Sequence, residues 1–392
     1  MLDFSFYIPT RFEFGKNVEL KAGTMIKSLG GHKALVHYGG GSVLKSGLMA
    51  RVLKSLDDAG IQHIELGGVA PNPRDDLVYQ GIDLVKKNDV DFILAVGGGS
   101  AIDSAKAIAL GAVYDGDFWD FWSGAAKPEK VMPLGVILTI AAAGSESSNS
   151  AVITRKETSQ KWGLGNELNR PAFALMNPEL TMTLPAYQTA CGATDIMAHV
   201  MERYFCHEPG DVTDRLCEAI LSSVIHNAVI AIDEPQNYDA RAELMWASTI
   251  AHNNTCGVGR TFDGASHKIE HELSALYDVA HGAGLAVMFP AWMRWHLNNK
   301  GTEKLAQYAV RVWGATMDFD HPERTALIGI ERHEAFLKRI GMPITLSELG
   351  IQNPDLNSIA NNTRKNPGTD VCGVFTGLTA VDILDILNIA NR

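Results

Sequence analysis

The chain has 392 residues, 46% apolar and 20% charged, the composition of a globular protein of two or three domains rather than a disordered or fibrous one. Its 34 Lys and Arg are outnumbered by 45 Asp and Glu, and a net charge of −11 argues against nucleic acid or an anionic membrane surface as a partner. The 5 cysteines are scattered without a C-x-x-C pair, which speaks against a disulfide framework and fits a reducing cytoplasm. No apolar run of about 18 residues is uninterrupted. Met1-Leu2-Asp3-Phe4 lacks the basic-then-apolar order of a secretory signal, so neither a membrane span nor export is expected.

In chain order, residues 33–38 form a short apolar run that stops at Gly39-Gly40-Gly41 and predicts a strand. A helix is expected over 42–60, a strand at 64–66 and, after Pro71-Asn72-Pro73, a charged amphipathic helix over 74–88. Residues 91–96 read as a buried strand, again ended by glycines. A helix of small residues follows over 101–112, and a further strand is expected at 133–139. This alternation predicts an α/β domain: a parallel, Rossmann-like sheet with helices on both faces. From about residue 186 the pattern changes to long helical stretches over 187–205, 212–232, 239–254 and 303–312, which predicts an all-helical second part. The expected division is therefore 1–185 and 186–392.

Gly97-Gly98-Gly99-Ser100 lies between a predicted strand and a predicted helix. Glycines there allow a ligand close to the backbone, and the helix start offers free N–H groups, which together suit a pyrophosphate. The motif continues through Asp103 and Lys106 as G-G-G-S-x-x-D-x-x-K, distinct from G-x-G-x-x-G. Asp103 either favours the helix dipole, holds the loop, or binds a ribose. A second turn, Gly39-Gly40-Gly41-Ser42, closes the first clear strand. An acidic residue there would accept ribose hydroxyls and repel a 2′-phosphate. Its absence, with Ser42 and Lys45 nearby, favours NADP over NAD.

Histidine carries the second signal. Asp195 and His199 are four residues apart on a predicted helix and share a face, His267 and His271 repeat that spacing, and His281 precedes Gly282. A carboxylate with imidazoles and no thiolate suits Fe²⁺ or Zn²⁺, whereas isolated histidines would be ordinary surface or core residues.

With these residues on the page, the chain resembles the iron-containing (group III) alcohol dehydrogenases, in particular the NADP-dependent butanol dehydrogenase and broad aldehyde reductase branch. The resemblance runs through Pro9-Thr10-Arg11-Phe12-Glu13-Phe14-Gly15-Lys16, the turns at 38–42 and 97–106, Pro71-Asn72-Pro73, Gly144-Ser145-Glu146 and the histidine-rich stretch 266–282. It implies a dehydroquinate synthase-like architecture: a dinucleotide-binding α/β domain followed by an all-helical metal-binding and substrate domain. It implies Asp195, His199, His267 and His281 as metal ligands and His271 as a proton-relaying residue beside them. It also implies cofactor contacts at Gly39, Gly40, Ser42, Asn72, Gly97, Gly98, Ser100, Asp103, Thr139, Lys161 and Thr181. Two positions depart from the family pattern. The usual G-T-G-S-E reads Ala142-Ala143-Gly144-Ser145-Glu146, and an expected Asp before Pro178 is Asn177.

The reading that follows is a cytoplasmic, metal-dependent oxidoreductase of the butanol dehydrogenase or aldehyde reductase type, moving a hydride between NADP(H) and primary alcohols or aldehydes, with Fe²⁺ or Zn²⁺ bound. It is expected to be a homodimer through an edge strand at 12–14. The metal would activate the oxygen and the nicotinamide carry the hydride. Phe262, Trp119 and Phe121 are candidate substrate-pocket aromatics. The alternative is a metal- and nucleotide-dependent lyase of the dehydroquinate synthase type. It is weaker, because a sugar-phosphate substrate calls for several basic residues and 266–282 supplies only Lys268.

Overall fold

Every residue from Phe92 to Gly97 is buried, as an apolar run must be when both faces of a sheet are covered. In the computed structural model, which describes all 392 residues, this run is the fourth of eight strands. They are β1 (Arg11–Phe14), β2 (Lys33–Tyr38), β3 (Gln62–Leu66), β4 (Phe92–Gly97), β5 (Leu134–Leu138), β6 (Ser150–Arg155), β7 (Gln160–Gly165) and β8 (Phe173–Met176). Six of them form one parallel sheet in the order β1-β8-β5-β4-β2-β3. The connecting helices are α1 (Ala22–Ser28), α2 (Ser42–Lys45), α3 (Leu48–Ala59), α4 (Asp75–Lys87), α5 (Gly99–Gly111) and α6 (Trp119–Ser123). The helix expected over 42–60 is split into α2 and α3 because Gly47 adopts the left-handed conformation, φ 71°.

Phe92 and Phe173 stack across the sheet with ring centroids 5.9 Å apart. Gly135, the register partner of Phe173, lies under that ring, where a Cβ would come within 2.2 Å of it. Burying such a ring contributes roughly 2–3 kcal/mol, and the absence of a side chain at 135 leaves room for it. β6 and β7 were not expected from the sequence. They form a separate antiparallel hairpin in which buried Ala151 and Ile153 alternate with half-buried Val152 and Thr154.

The chain separates into two compact units, one spanning Tyr7–Thr183 and one comprising Leu184–Arg392 with Met1–Phe6. Within the second, the Leu2 N–H donates to the Gly259 carbonyl at 2.8 Å. That unit is helical: α7 (Ala186–Tyr204), α8 (Asp211–Asp233), α9 (Tyr238–His252), α10 (Ala265–Tyr277), α11 (His281–Asn299), α12 (Glu303–Arg311), α13 (Pro322–Arg339), α14 (Leu356–Asn362) and α15 (Ala380–Ala390). α8 is long and apolar enough to cross a membrane by length and composition, with a mean hydropathy of 1.5 over 18 residues. It packs against α7 and α9, however, and its Asp214 and Glu218 pair with Arg260, Lys304 and Arg311, which makes it a helix of the bundle.

Candidate functional site

In the first unit the chain leaves β2 for β3 on one side and later returns to β4 on the other, so sequence order reverses between the adjacent strands β2 and β4. Ligands of open α/β sheets bind outside the carboxyl ends of strands at such a reversal. Both glycine turns stand there: Gly39 follows Tyr38 of β2, whose register partner is Val96, and Gly97 ends β4. Gly39, Gly40 and Ser42 are thus brought beside Gly97, Gly98 and Ser100. Thr139 joins them from the end of β5, its N–H donating to the Gly97 carbonyl at 3.0 Å.

The two turns differ in room. At Gly40 an added Cβ meets nothing within 4 Å, and at Gly39 it meets only the Val69 carbonyl at 3.6 Å. At Gly98 the same atom falls 3.0 Å from the Ile140 side chain, so the glycine serves packing of the turn itself. Asn72 takes a left-handed conformation, φ 54°, between β3 and α4, and Lys161 is buried on β7 opposite Thr154. The Thr181 hydroxyl is engaged locally, donating to the Pro178 carbonyl at 2.8 Å.

Of the roles open to Asp103, the structure fills the holding of the loop. Its Oδ1 accepts the Ser145 hydroxyl at 2.6 Å and its Oδ2 the Val152 N–H at 2.9 Å, tying α5 to the segment carrying Gly144-Ser145-Glu146 and to β6. One turn on, Lys106 is fully buried and donates to the Ser148 and Ser150 carbonyls at 3.0 and 2.8 Å. Burial pulls its ammonium down to about 8, against the pull of Asp103 and Glu146. Asn177 is explained by its neighbour: its Nδ2 donates to Glu19 Oε2 at 3.0 Å, and both residues are buried. An Asp there would set two carboxylates against each other.

The second unit gathers the histidines. Asp195 and His199 come from α7, His267 and His271 from α10, and His281 begins α11. Asp195 Oδ1 stands at the centre: the Nε2 atoms of His199, His267 and His281 lie 3.4, 3.8 and 3.7 Å from it. These separations are too long for hydrogen bonds. They are close to the edges of a tetrahedral ligand shell with arms of about 2.1 Å. Asp195 Oδ1 and His267 Nε2 are buried and have no hydrogen-bond partner, a costly arrangement unless a cation completes it. The ligand atoms of Asp195, His267 and His281 lie within 4.8 Å of one another, close enough to share a divalent ion, with His199 Nε2 3.4 Å from Asp195. His271 is half-buried, its ring 5.5 Å from that of His281 and 6.4 Å from that of His267.

Several residues of this centre escaped sequence reasoning. Glu270, fully buried, contacts His281 Nδ1 with one carboxylate oxygen and accepts the Ser274 hydroxyl on the other. Glu202 accepts the backbone N–H of His267 at 3.1 Å and lies 3.2 Å from its Nδ1 in an ion-pair contact that is not aligned as a hydrogen bond. His252 stacks on His199 with ring centroids 3.8 Å apart. Burial lowers the His199 imidazole well below its ordinary range, with His252 and His267 adding to the effect, so it presents a neutral ring. Burial also opposes charge on His267, but Glu202 and Asp195 outweigh it and raise the group to about 9. Among the aromatics, Trp119 and Phe121 are buried, and Trp119 stacks on Trp162, so both are core residues. Phe262 is 40% exposed, 6.4 Å from the His267 ring, and lies under the Arg203 guanidinium.

Residues 9–178 match the sequence family described as iron-containing alcohol dehydrogenase, and 189–390 match the C-terminal part of the Fe-containing alcohol dehydrogenase family. The chain belongs to the iron-containing alcohol dehydrogenase family. Within that family, NADH-dependent butanol dehydrogenase A of Clostridium acetobutylicum is 41% identical over 98% of this chain and 99% of its own. The NADPH-dependent aldehyde reductase YqhD of Escherichia coli is 36% identical over 95% of both chains. The crystal structure of NADH-dependent butanol dehydrogenase A from Thermotoga maritima matches with a TM-score of 0.96 at 38% identity, covering 100% of this chain and 99% of that one. Membership makes the chain an oxidoreductase of the iron-type alcohol dehydrogenase class, working with iron and a nicotinamide cofactor, and the lyase reading is set aside.

Proposed function

We propose that this protein interconverts small primary alcohols and aldehydes with NADP(H), using a divalent ion held by Asp195, His199, His267 and His281. The observation that carries the reading is the buried Asp195 Oδ1 facing three imidazole Nε2 atoms within 3.8 Å. Bound there, a divalent ion acts as a Lewis acid on the substrate oxygen, and nicotinamide is the hydride carrier that no side chain replaces. Fe²⁺ is the family's ion, and Zn²⁺ suits the same donors.

The chain's own residues do the rest. Asp195 and the three histidines would hold the ion. His271, half-buried beside His267 and His281, is suited to move the hydroxyl proton to or from solvent, because imidazole titrates near neutrality. Phe262 offers an exposed apolar face near His267 for the alkyl part of a substrate. In the first unit, the open turn at Gly39 and Gly40, the Ser42 hydroxyl and the Lys45 ammonium favour a ribose 2′-phosphate. Relatives carrying both NADH- and NADPH-dependent names show that this choice varies within the family. The names butanol dehydrogenase and aldehyde reductase support a short-chain alcohol or aldehyde substrate. β1 occupies a sheet edge and can pair with a second copy, which supports a homodimer.

The test is nicotinamide absorbance on mixing protein, NADPH and butyraldehyde. Chelated protein should be inactive and recover with Fe²⁺ or Zn²⁺, and His267→Ala should fail to recover. Full turnover by rigorously metal-free protein overturns the reading.

A further inference from the structure

The carboxylates behind the metal ligands are arranged in a stagger. Two of the helices that carry ligand histidines also carry a glutamate three residues later: His199 and Glu202 on α7, His267 and Glu270 on α10. Neither glutamate serves its own histidine. Glu202 of α7 faces His267 of α10, and Glu270 of α10 binds Nδ1 of His281 on α11. Each helix thereby supplies the partner for the histidine of the next. Neither His199 Nδ1 nor His267 Nδ1 makes a hydrogen bond, but Glu202 stands 3.2 Å from the latter and no carboxylate pairs with the former, whose ring stacks on those of His252 and His267.

We infer that Glu270, acting through His281, and Glu202, acting through His267, are positioning residues for the metal, and that His199 is the weakest of its four ligands. A carboxylate accepting Nδ1–H fixes the tautomer with a lone pair on Nε2 and holds the ring aimed at the ion. Glu270 does this most firmly. It is fully buried, its second oxygen is fixed by Ser274, and Gly284 leaves it room: a Cβ there would lie 2.7 Å from Glu270 Cγ and 2.9 Å from Oε1. Glu202 acts less directly, gripping the His267 backbone and meeting its ring off axis. His199 keeps its orientation by stacking alone.

This inference rests on the metal reading of the same residues, and the experiment separates the two. Full-length apo protein is titrated with Zn²⁺, and anaerobically with Fe²⁺, against a chromophoric chelator, while circular dichroism and apo-protein thermal unfolding report folding. Glu270→Gln keeps the shape and removes the charge. It should weaken metal binding on the order of 10–100-fold, the usual cost of losing such a partner, with apo unfolding close to wild type. Gly284→Ala, which alters neither ligand nor carboxylate, should weaken it in the same direction by displacing Glu270. Glu202→Gln should have a smaller effect, and His199→Ala should lose less affinity than His281→Ala. Wild-type affinity in folded Glu270→Gln, or equal losses in His199→Ala and His281→Ala, overturns the inference while leaving the metal site standing. Failure of the wild-type chain to bind either ion overturns the metal reading and the inference with it.

Discussion

Asp103 Oδ1 accepts the Ser145 hydroxyl at 2.6 Å, joining the start of α5 to a turn 42 residues further along the chain. The bond links the glycine turn after β4 to the segment after β5, and a second bond from the Val152 N–H extends the tie to β6. Hydrogen bonds to a carboxylate stabilise by roughly 1.5–3 kcal/mol each. Asp103→Asn keeps one acceptor and loses the charge, so unfolding free energy should fall by about 2 kcal/mol in a urea titration. NADPH should bind about tenfold more weakly as the turn loosens, with Zn²⁺ affinity unchanged. Equal NADPH affinity in a measurably destabilised variant would show that the tie is structural only.

Gly98 leads to a different expectation from the sequence alone. A side chain there was expected to crowd a pyrophosphate, but its first obstacle is Ile140, 3.0–3.2 Å from an added Cβ. Gly98 is not in the left-handed region, φ −95°, so the backbone tolerates a larger residue. Gly98→Val should therefore lower stability by roughly 1–3 kcal/mol through overpacking, before any effect on cofactor binding is counted. Pairing it with Ile140→Ala should recover part of that loss. A double-mutant cycle by thermal unfolding measures the coupling, and strict additivity would show that Ile140 is not the obstacle.

How far the sequence led depends on which signals are local. β2, β4 and β5 were legible because strands buried on both faces are continuous apolar runs, and the long helices because their period holds over several turns. The hairpin β6–β7 was missed. Its alternation of buried Ala151 and Ile153 with Val152 and Thr154 was present, but the turn contains neither Asn-Gly nor Asp-Gly, and Ser159 supplies the positive φ instead. The clustered histidines stood out because histidine is uncommon and their spacing repeats. Glu202 and Glu270 did not, since a glutamate on a helix is ordinarily a solvated residue. The repeated His-x-x-Glu spacing was the one available signal, and it could not show that each glutamate serves the neighbouring helix.

Buried neutral histidines make the fold lose stability in acid. His37, hydrogen-bonded to the Leu66 carbonyl and Ser104 hydroxyl, and His333, bonded to the Tyr308 hydroxyl, are both lowered to about 4, chiefly by burial. Their folded values lie below the ordinary 6.5, so between pH 6.5 and 4 the unfolded chain binds protons that the folded chain does not. Stability is therefore unaffected by these groups above about pH 6.5 and is lost as pH falls towards 4, by up to roughly 3 kcal/mol for each. His333→Phe should be less stable at neutral pH, because the buried Tyr308 hydroxyl loses its partner. Its unfolding free energy should nevertheless fall less steeply between pH 6.5 and 4. Parallel slopes in the two proteins would rule out His333 as a contributor.

The proposed preference for NADPH rests on Gly39. The residue follows β2 at the reversal of the sheet, where a dinucleotide fold presents the adenosine ribose. No carboxylate occupies residues 39–45, Ser42 is exposed there, and the Lys45 stem lies beside the turn, 3.8 Å from where a Cβ on Gly41 would stand. The 2′-phosphate of NADPH would find donors and a cation, and the ribose hydroxyls of NADH no carboxylate to accept them. NADPH should therefore be preferred in kcat/KM. The site also accommodates the reversing substitution: Gly39 is not in the left-handed region, and an added Cβ meets only the Val69 carbonyl at an ordinary 3.6 Å. Gly39→Asp should thus fold normally, accept two ribose hydroxyls from NADH and repel the phosphate of NADPH. A swing of about 3 kcal/mol corresponds to a change on the order of 100-fold in the NADPH/NADH ratio, carried mainly by KM for NADPH. Steady-state kinetics with both cofactors in both proteins checks it. A wild-type preference for NADH, or an equal loss with both cofactors in Gly39→Asp, would show that the turn does not read the 2′-phosphate.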